Sequence, residues 1–319
     1  MEMHQLRYFV AVAEEGSFSR AAERMRVAQP SLSQQMQKLE AEVGHSLFDR
    51  LSRRVTPTEA GRQLLPYARR ILSGLLDAQR CVDQLANEPT GTVALGIIPT
   101  IAPYVLREVL EKARAQLPRV KVTVREDLTE NLVRALEQGE IDLAIVSTCK
   151  SGTGIHRETW ATEPFLLAVP AEHRLAKRQS ISAKDLQSET LLLLSEGHCL
   201  AQQIDRWCDR HGVRTSNEQS AFQLSTVLTL VAAGEGVSLV PFIAVPYERA
   251  ANCVFIKPRT PILSRELNLI RNPARFWSKA TAAVSDVART VVLDRLGTIP
   301  SSKVRTGAES SAKSRTDLG

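Results

Sequence analysis

The most distinctive chemistry in this sequence lies in one short stretch, His198-Cys199 with Cys208 nine residues on. From Gly197 onward, Leu200, Ile204, Trp207 and Cys208 recur at helical spacing. The pattern predicts an amphipathic helix with Cys199 at its front and Cys208 on its apolar face. A thiol at a helix N-terminus is biased toward the thiolate, the form that attacks electrophiles. Nine helical steps separate the two Cα atoms by about 13 Å. A disulfide needs about 4.4–6.8 Å. The helix therefore holds the sulfurs apart, and a bond between them would require it to unwind. Cys81, Cys149 and Cys253 have no paired spacing of the kind zinc sites use and read as structural residues. No metal and no cofactor is expected.

The chain that must position these residues has 319 residues, enough for two or three compact units. Its 43% hydrophobic and 24% charged content is that of a soluble globular protein. No apolar run reaches the ~18 residues of a membrane helix. The start, Met1-Glu2-Met3-His4-Gln5, lacks the apolar core of a secretory signal. The expected location is the cytoplasm, away from membranes, where thiols are reduced by default. A net charge of +6 is compatible with nucleic acid, but residues 1–60 carry eight basic and eight acidic side chains. Bulk charge there gives no DNA signal; only the placement of the charges can.

Leu6, Phe9, Val10, Val12 and Ala13 predict a first helix over His4 to Glu14, stopped by Gly16. Ser17 and Ser19 offer caps for a second, with Ala21, Ala22 and Met25 inward. A third opens with Pro30 in its first turn and buries Leu32, Met36, Leu39 and Val43. Its outer face carries Gln29, Ser31, Ser33, Gln34, Gln37 and Lys38. Amides and hydroxyls there suit base edges in a major groove. Beyond Leu47-Phe48-Asp49, the arginines Arg50, Arg53 and Arg54 form a basic loop suited to phosphates.

These residues carry a family likeness. Phe18-Ser19-Arg20-Ala21-Ala22, Gln29-Pro30-Ser31-Leu32-Ser33, Leu39-Glu40, Leu47-Phe48-Asp49-Arg50 and Thr56-Pro57-Thr58-Glu59-Ala60-Gly61 resemble the winged helix-turn-helix of LysR-type transcriptional regulators. The resemblance implies binding to double-stranded promoter DNA, with RNA polymerase as a further partner and no enzymatic activity. Gln29, Ser31, Ser33 and Gln34 would contact bases, with Pro30 and Lys38 on the same DNA-facing surface. Arg50, Arg53 and Arg54 would contact the backbone or minor groove.

Thr56-Pro57-Thr58-Glu59 reads as a capping box with proline at the first helical position. Leu64, Ala68, Ile71, Leu75, Ala78, Val82 and Leu85 follow in alternating steps of four and three, a heptad seam. A single helix with such a seam needs a partner, so a dimer through residues 57–87 is expected, and the resemblance implies a homotetramer. Pro66 should kink the helix early.

From Thr92 onward strand and helix patterns alternate, which argues for a mainly parallel α/β sheet with ligands at the carboxyl ends of its strands. Strands are expected over Thr92–Ile98, Val120–Val124, Ile141–Val146, Phe165–Val169, Leu191–Leu194 and Leu267–Ile270. The order resembles the LysR effector domain, which looks like a two-subdomain periplasmic binding protein. The expected fold is thus α/β with an N-terminal all-α winged helix-turn-helix and a long linker helix. Its divisions are 1–56 (DNA-binding), 57–91 (linker helix), 92–299 (effector) and 300–319 (a disordered basic tail). Within the effector, subdomain I takes 92–162 and 266–298, and subdomain II takes 163–265. Crossovers fall near Trp160-Ala161-Thr162 and between Pro261 and Arg265.

Within that family, Leu194-Ser195-Glu196-Gly197-His198-Cys199-Leu200 with Cys208 resembles the peroxide-sensing members, as do Ile98-Pro99-Thr100, Thr129 and Arg265. The resemblance implies that hydrogen peroxide oxidises Cys199 and that Cys208 resolves the product as a disulfide. Thr100, Thr129, His198, Gln202 and Arg265 would line the peroxide site, Arg265 as a cation favouring the Cys199 thiolate. Gln202 stands where some relatives carry an acid; it can hydrogen-bond but cannot shuttle a proton. A second reading has Thr100, Thr129 and Arg265 as an anion site for a small carboxylate or aromatic metabolite, with both cysteines merely buried. A solute-binding or enzymatic α/β protein would need a signal peptide or a catalytic constellation, and neither is in the sequence.

Overall fold

A computed structural model describes residues 1–49, 55–83, 88–147, 154–195, 199–245, 253–259, 263–297 and 304–305. The first unit packs α1 (Met3–Glu15), α2 (Phe18–Met25) and α3 (Gln29–Val43) around Phe9, Val12, Leu32, Met36 and Leu39. Gly16 ends α1 in the left-handed region, at φ 60°. Ser17 Oγ then accepts from Arg20 N to cap α2. Strands β1 (Phe48–Asp49) and β2 (Thr56–Pro57) pair antiparallel as the base of a wing. Phe48 closes the core with its ring 5.4 Å from that of Phe9.

The start of α4 (Glu59–Asp83) corrects the capping-box expectation. Pro57 belongs to β2, and Thr58 is the cap: its Oγ1 accepts from Gly61 N at 3.1 Å and donates to Ser46 O at 2.6 Å. Thr58 N also donates to Leu47 O, so the wing and the helix start are fastened at one residue. Gly61 is required there, because a Cβ would stand 2.2 Å from Leu47 O. The heptad seam divides into two parts. Leu64 and Ala68 pack against the core of the first unit, whereas Ile71 and Val82 are exposed, with Tyr67 and Leu76 beside them. Leu85 lies outside the described residues.

In the effector unit β3 (Gly91–Ile97), α5 (Ala102–Gln116), β4 (Val120–Glu126), α6 (Thr129–Glu137) and β5 (Leu143–Ser147) alternate as expected, and β3 lies parallel to both β4 and β5. The long strand β6 (His156–Pro170) then changes sheets. Its first part pairs with β11 (Ser264–Arg271) and its last six residues with two strands of the second sheet. The exchange falls at Pro164 and Phe165, opposite Ser264 and Pro241. Because β6 and β11 run antiparallel to each other, and β11 to β5, the sheet is mixed rather than mainly parallel.

The second sheet adds α7 (Ala183–Leu186), β7 (Thr190–Leu194), α8 (Cys199–His211), β8 (Arg214–Ala221), α9 (Leu224–Ala232), β9 (Ser238–Pro241) and β10 (Cys253–Ile256). β9 and β10 flank β6, and β7 lies parallel to β8 and bridges to Val237. α10 (Lys279–Gly297) returns to pack on α5 and β3. β12 (Val304–Arg305) pairs with β10, and the rest of 300–319 lies outside the described residues.

Ion pairs fasten α4 to the effector unit. Asp77 on α4 accepts from Arg275 at 2.5 and 2.8 Å, and Arg80 donates to Asp142 at 2.6 Å, whose other oxygen accepts from Ala94 N. Arg69 joins three bodies: Glu14 of α1 at 3.2 Å, its own helix α4, and Glu140 of the effector unit at 2.7 Å. Asp77, Asp142 and Arg275 are mostly buried, so solvent screens these pairs less than it does surface ones.

Candidate functional site

The stripe expected between Cys199 and Cys208 is present. Cys199 is the first residue of α8, and Leu200, Ile204, Trp207 and Cys208 are buried against the second sheet. Burial first, with the nearby carboxylates of Asp205 and Asp209 adding to it, pushes the Cys208 thiol from 9.0 up to about 12. The C-terminal end of the helix is pinned. Trp207 stacks on His211 with ring centroids 4.4 Å apart, Gln187 donates to His211 O at 2.9 Å, and Val213 N donates to Cys208 O. Gln202 is on the exposed face. His198 and the side chain of Cys199 lie outside what is described, as does Cys149.

Thr100 and Arg265 meet directly. Arg265, fully buried at the start of β11, donates from Nη1 to Thr100 Oγ1 at 2.8 Å and from Nη2 to Thr100 O at 3.2 Å. Its Nε donates at 2.6 Å to Glu163, which faces it across the β6–β11 pair. The other Glu163 oxygen accepts from Ile243 N at 2.6 Å. This corrects the electrostatic expectation for Arg265: its charge is already matched by a buried carboxylate, so it is no free cation for a thiolate or a ligand anion. Its effect on Thr100 is to take up a lone pair and leave the hydroxyl proton free to donate. Thr129, also buried, opens α6 just past β4, while Thr100 lies just past the adjacent parallel strand β3. Both threonines thus lie at the carboxyl edge of the first sheet.

Glu163 and Ser147 were not anticipated. Ser147 ends β5 beside β3, is buried, and its hydroxyl has no partner among the described residues. The rule that ligands bind at the carboxyl ends of strands would have found Ser147. Glu163 becomes visible only once the register that sets it opposite Arg265 is known.

On the first unit, α3 exposes Gln29, Pro30, Ser31, Gln34 and Lys38, with Ser33 half-buried. Arg50, Arg53 and Arg54 lie outside the described residues. Among the described residues no helix is long and apolar enough to cross a membrane.

Comparison with known proteins bears on both units. Residues 3–62 match the family described as bacterial regulatory helix-turn-helix protein, lysR family, and residues 86–292 match the LysR substrate binding domain. The chain is 34% identical over 274 residues to the hydrogen peroxide-inducible genes activator of Dickeya chrysanthemi, covering 86% of this chain and 90% of that one. The same identity and coverage hold for the DNA-binding transcriptional dual regulator OxyR of Escherichia coli K12. Among solved structures, full-length OxyR C199D from Pseudomonas aeruginosa superposes with a TM-score of 0.75 at 28% identity, covering 92% of this chain and 97% of that one.

Proposed function

Since the chain belongs to the lysR family of bacterial helix-turn-helix regulators, we propose that it is a DNA-binding transcriptional activator that senses hydrogen peroxide through Cys199. The observation that carries the reading is α8 itself, with Cys199 as its first residue and Cys208 fully buried nine residues along. The Cys199 thiolate attacks one peroxide oxygen, the O–O bond breaks, and the departing hydroxide takes a proton. The Thr100 hydroxyl, oriented by Arg265, and His198 are the donors assigned to that step, with Thr129 and Gln202 holding peroxide or water. The product is a sulfenic acid at Cys199. Cys208 then attacks that sulfur, the S–O bond breaks, and water leaves as the disulfide forms.

The second step cannot occur within α8. Unwinding exposes Leu200, Ile204 and Trp207, whose burial is worth about 1.5–3 kcal/mol each. Oxidation therefore exchanges one packed arrangement for another, a two-state element able to shift contacts between chains in a homotetramer and so change DNA binding. Promoter DNA is read by Gln29, Pro30, Ser31, Ser33, Gln34 and Lys38 on α3, with Arg50, Arg53 and Arg54 on the wing, and RNA polymerase is the downstream partner. The metabolite reading loses ground because its anion site would use an arginine whose charge Glu163 already matches.

Mass spectrometry after brief peroxide exposure tests the proposal. A Cys199–Cys208 linked peptide is expected, and Cys199→Ser should abolish induction of a peroxide-responsive reporter. A reporter that still responds in Cys199→Ser, with no linked peptide in the parent, would sink it.

The exposed half of the α4 seam is the proposed dimer contact. Ile71→Glu should break this contact and lower the mass of the assembly in light scattering with the helical circular dichroism retained, because Ile71 is 41% exposed in the single chain. An unchanged mass would place the contact elsewhere.

A further inference from the structure

Where Arg69 joins the three bodies, the structure leaves a polar cavity of about 290 Å³. It is lined by Arg69 of α4 and by Arg125, Asn131, Arg134, Gln138 and Glu140 of the effector unit. Three guanidiniums face it against one carboxylate. Glu140 is fully engaged, one oxygen with Arg69 at 2.7 Å and the other with Arg125 at 2.5 Å. The two further carboxylates of the network, Glu14 and Asp127, pair with Arg69 and Arg125 without lining the cavity. Arg134 is exposed and bonds only the amide oxygen of Asn131 among the described residues, so its charge has no carboxylate to match it. Arg69 Nε is buried with no partner among the described residues. A buried donor without an acceptor costs free energy that a bound oxyanion would recover.

We propose that this cavity binds a small oxyanion of two negative charges, of the class of phosphate or a phosphate ester a few carbons long. Planar guanidiniums suit such oxygens because each presents paired N–H groups. Asn131 and Gln138 supply neutral amide donors at the same wall. Glu140 already shows the arrangement on a smaller scale, since one carboxylate there bridges two arginines on different elements. A second anion bridging Arg69 to Arg134 would add a tie between α4 and α6.

The test is calorimetric titration of the full-length, DNA-free protein with inorganic phosphate, exchanged against chloride at constant ionic strength. Saturable binding near one phosphate per chain is expected from this cavity, weakened about tenfold or more by Arg134→Gln or Arg69→Gln. Arg114→Gln, an exposed change on α5, should leave it unaltered. Because Arg134 is exposed, its replacement leaves the fold intact, so folding failure cannot imitate the loss. Phosphate bound at the DNA-reading face instead would survive Arg134→Gln, and that result, or no heat beyond the chloride control, would overturn the proposal.

Discussion

Glu163→Ala is expected to lower the unfolding free energy by about 3–5 kcal/mol, the cost of stranding a buried charge. In a unit of this size that is a fall in Tm of roughly 6–20 °C. Both side chains are 0% exposed, so water cannot replace the missing carboxylate. The substitution also strands Ile243 N, which donates to the other Glu163 oxygen from the second sheet. Glu163→Gln keeps an acceptor and should cost less. The double change Glu163→Leu, Arg265→Met should recover much of the loss, because apolar pairs of similar volume commonly match or exceed buried ion pairs. Denaturant unfolding of the four proteins decides the matter. A cost under about 1 kcal/mol for Glu163→Ala, the range of exposed pairs, would show that the pair is open to solvent.

The second large effect concerns Cys208. With its thiol held near 12 against 9.0, its thiolate fraction at pH 8 is about a thousandfold below that of an ordinary cysteine. Iodoacetamide should therefore leave Cys208 unmodified in the reduced native protein and label it rapidly in urea. Labelling at the rate of a free thiol under native conditions would contradict the burial seen here. The same shift makes stability fall at high pH. The unfolded chain releases this proton near 9.0 and the folded chain near 12, so the contribution is full below about pH 9 and lost as pH climbs toward 12. Relative to Cys208→Ser, which does not titrate, the parent should lose about 1.4 kcal/mol per pH unit in that window. A thiol this inert also explains the order of events proposed for oxidation: Cys199 reacts first, and Cys208 becomes a nucleophile only when α8 opens.

The helices were legible because burial writes a period into them. Leu200, Ile204, Trp207 and Cys208 fix the buried face of α8 with no knowledge of what covers it. The position of Thr100 just past the first effector strand was legible from the strand pattern, whereas Thr129 was singled out only by likeness to a family. The charge state of Arg265 was not, since Glu163 lies 102 residues away and only the register of β6 against β11 brings them together. β8 was missed because Arg214-Thr215-Ser216-Asn217-Glu218-Gln219-Ser220 has no apolar alternation; it is a polar strand paired along one side, with β7. The α4 seam was read as uniform, but a repeat cannot say which of its turns pack within the same chain and which are left for another. The helix start was placed two residues early, at Pro57 rather than Glu59, because a wing strand of two residues leaves little trace in sequence.

The passage of β6 from one sheet to the other has a consequence for how the effector unit comes apart. The segment that joins the two halves is no spacer: residues up to Pro164 complete one sheet, and those from Phe165 complete the next. A half that melted alone would take a structural strand from its neighbour. The two halves should therefore melt in a single cooperative transition, and Pro164, though exposed, is held in strand pairing rather than in a loose tether a protease could cut.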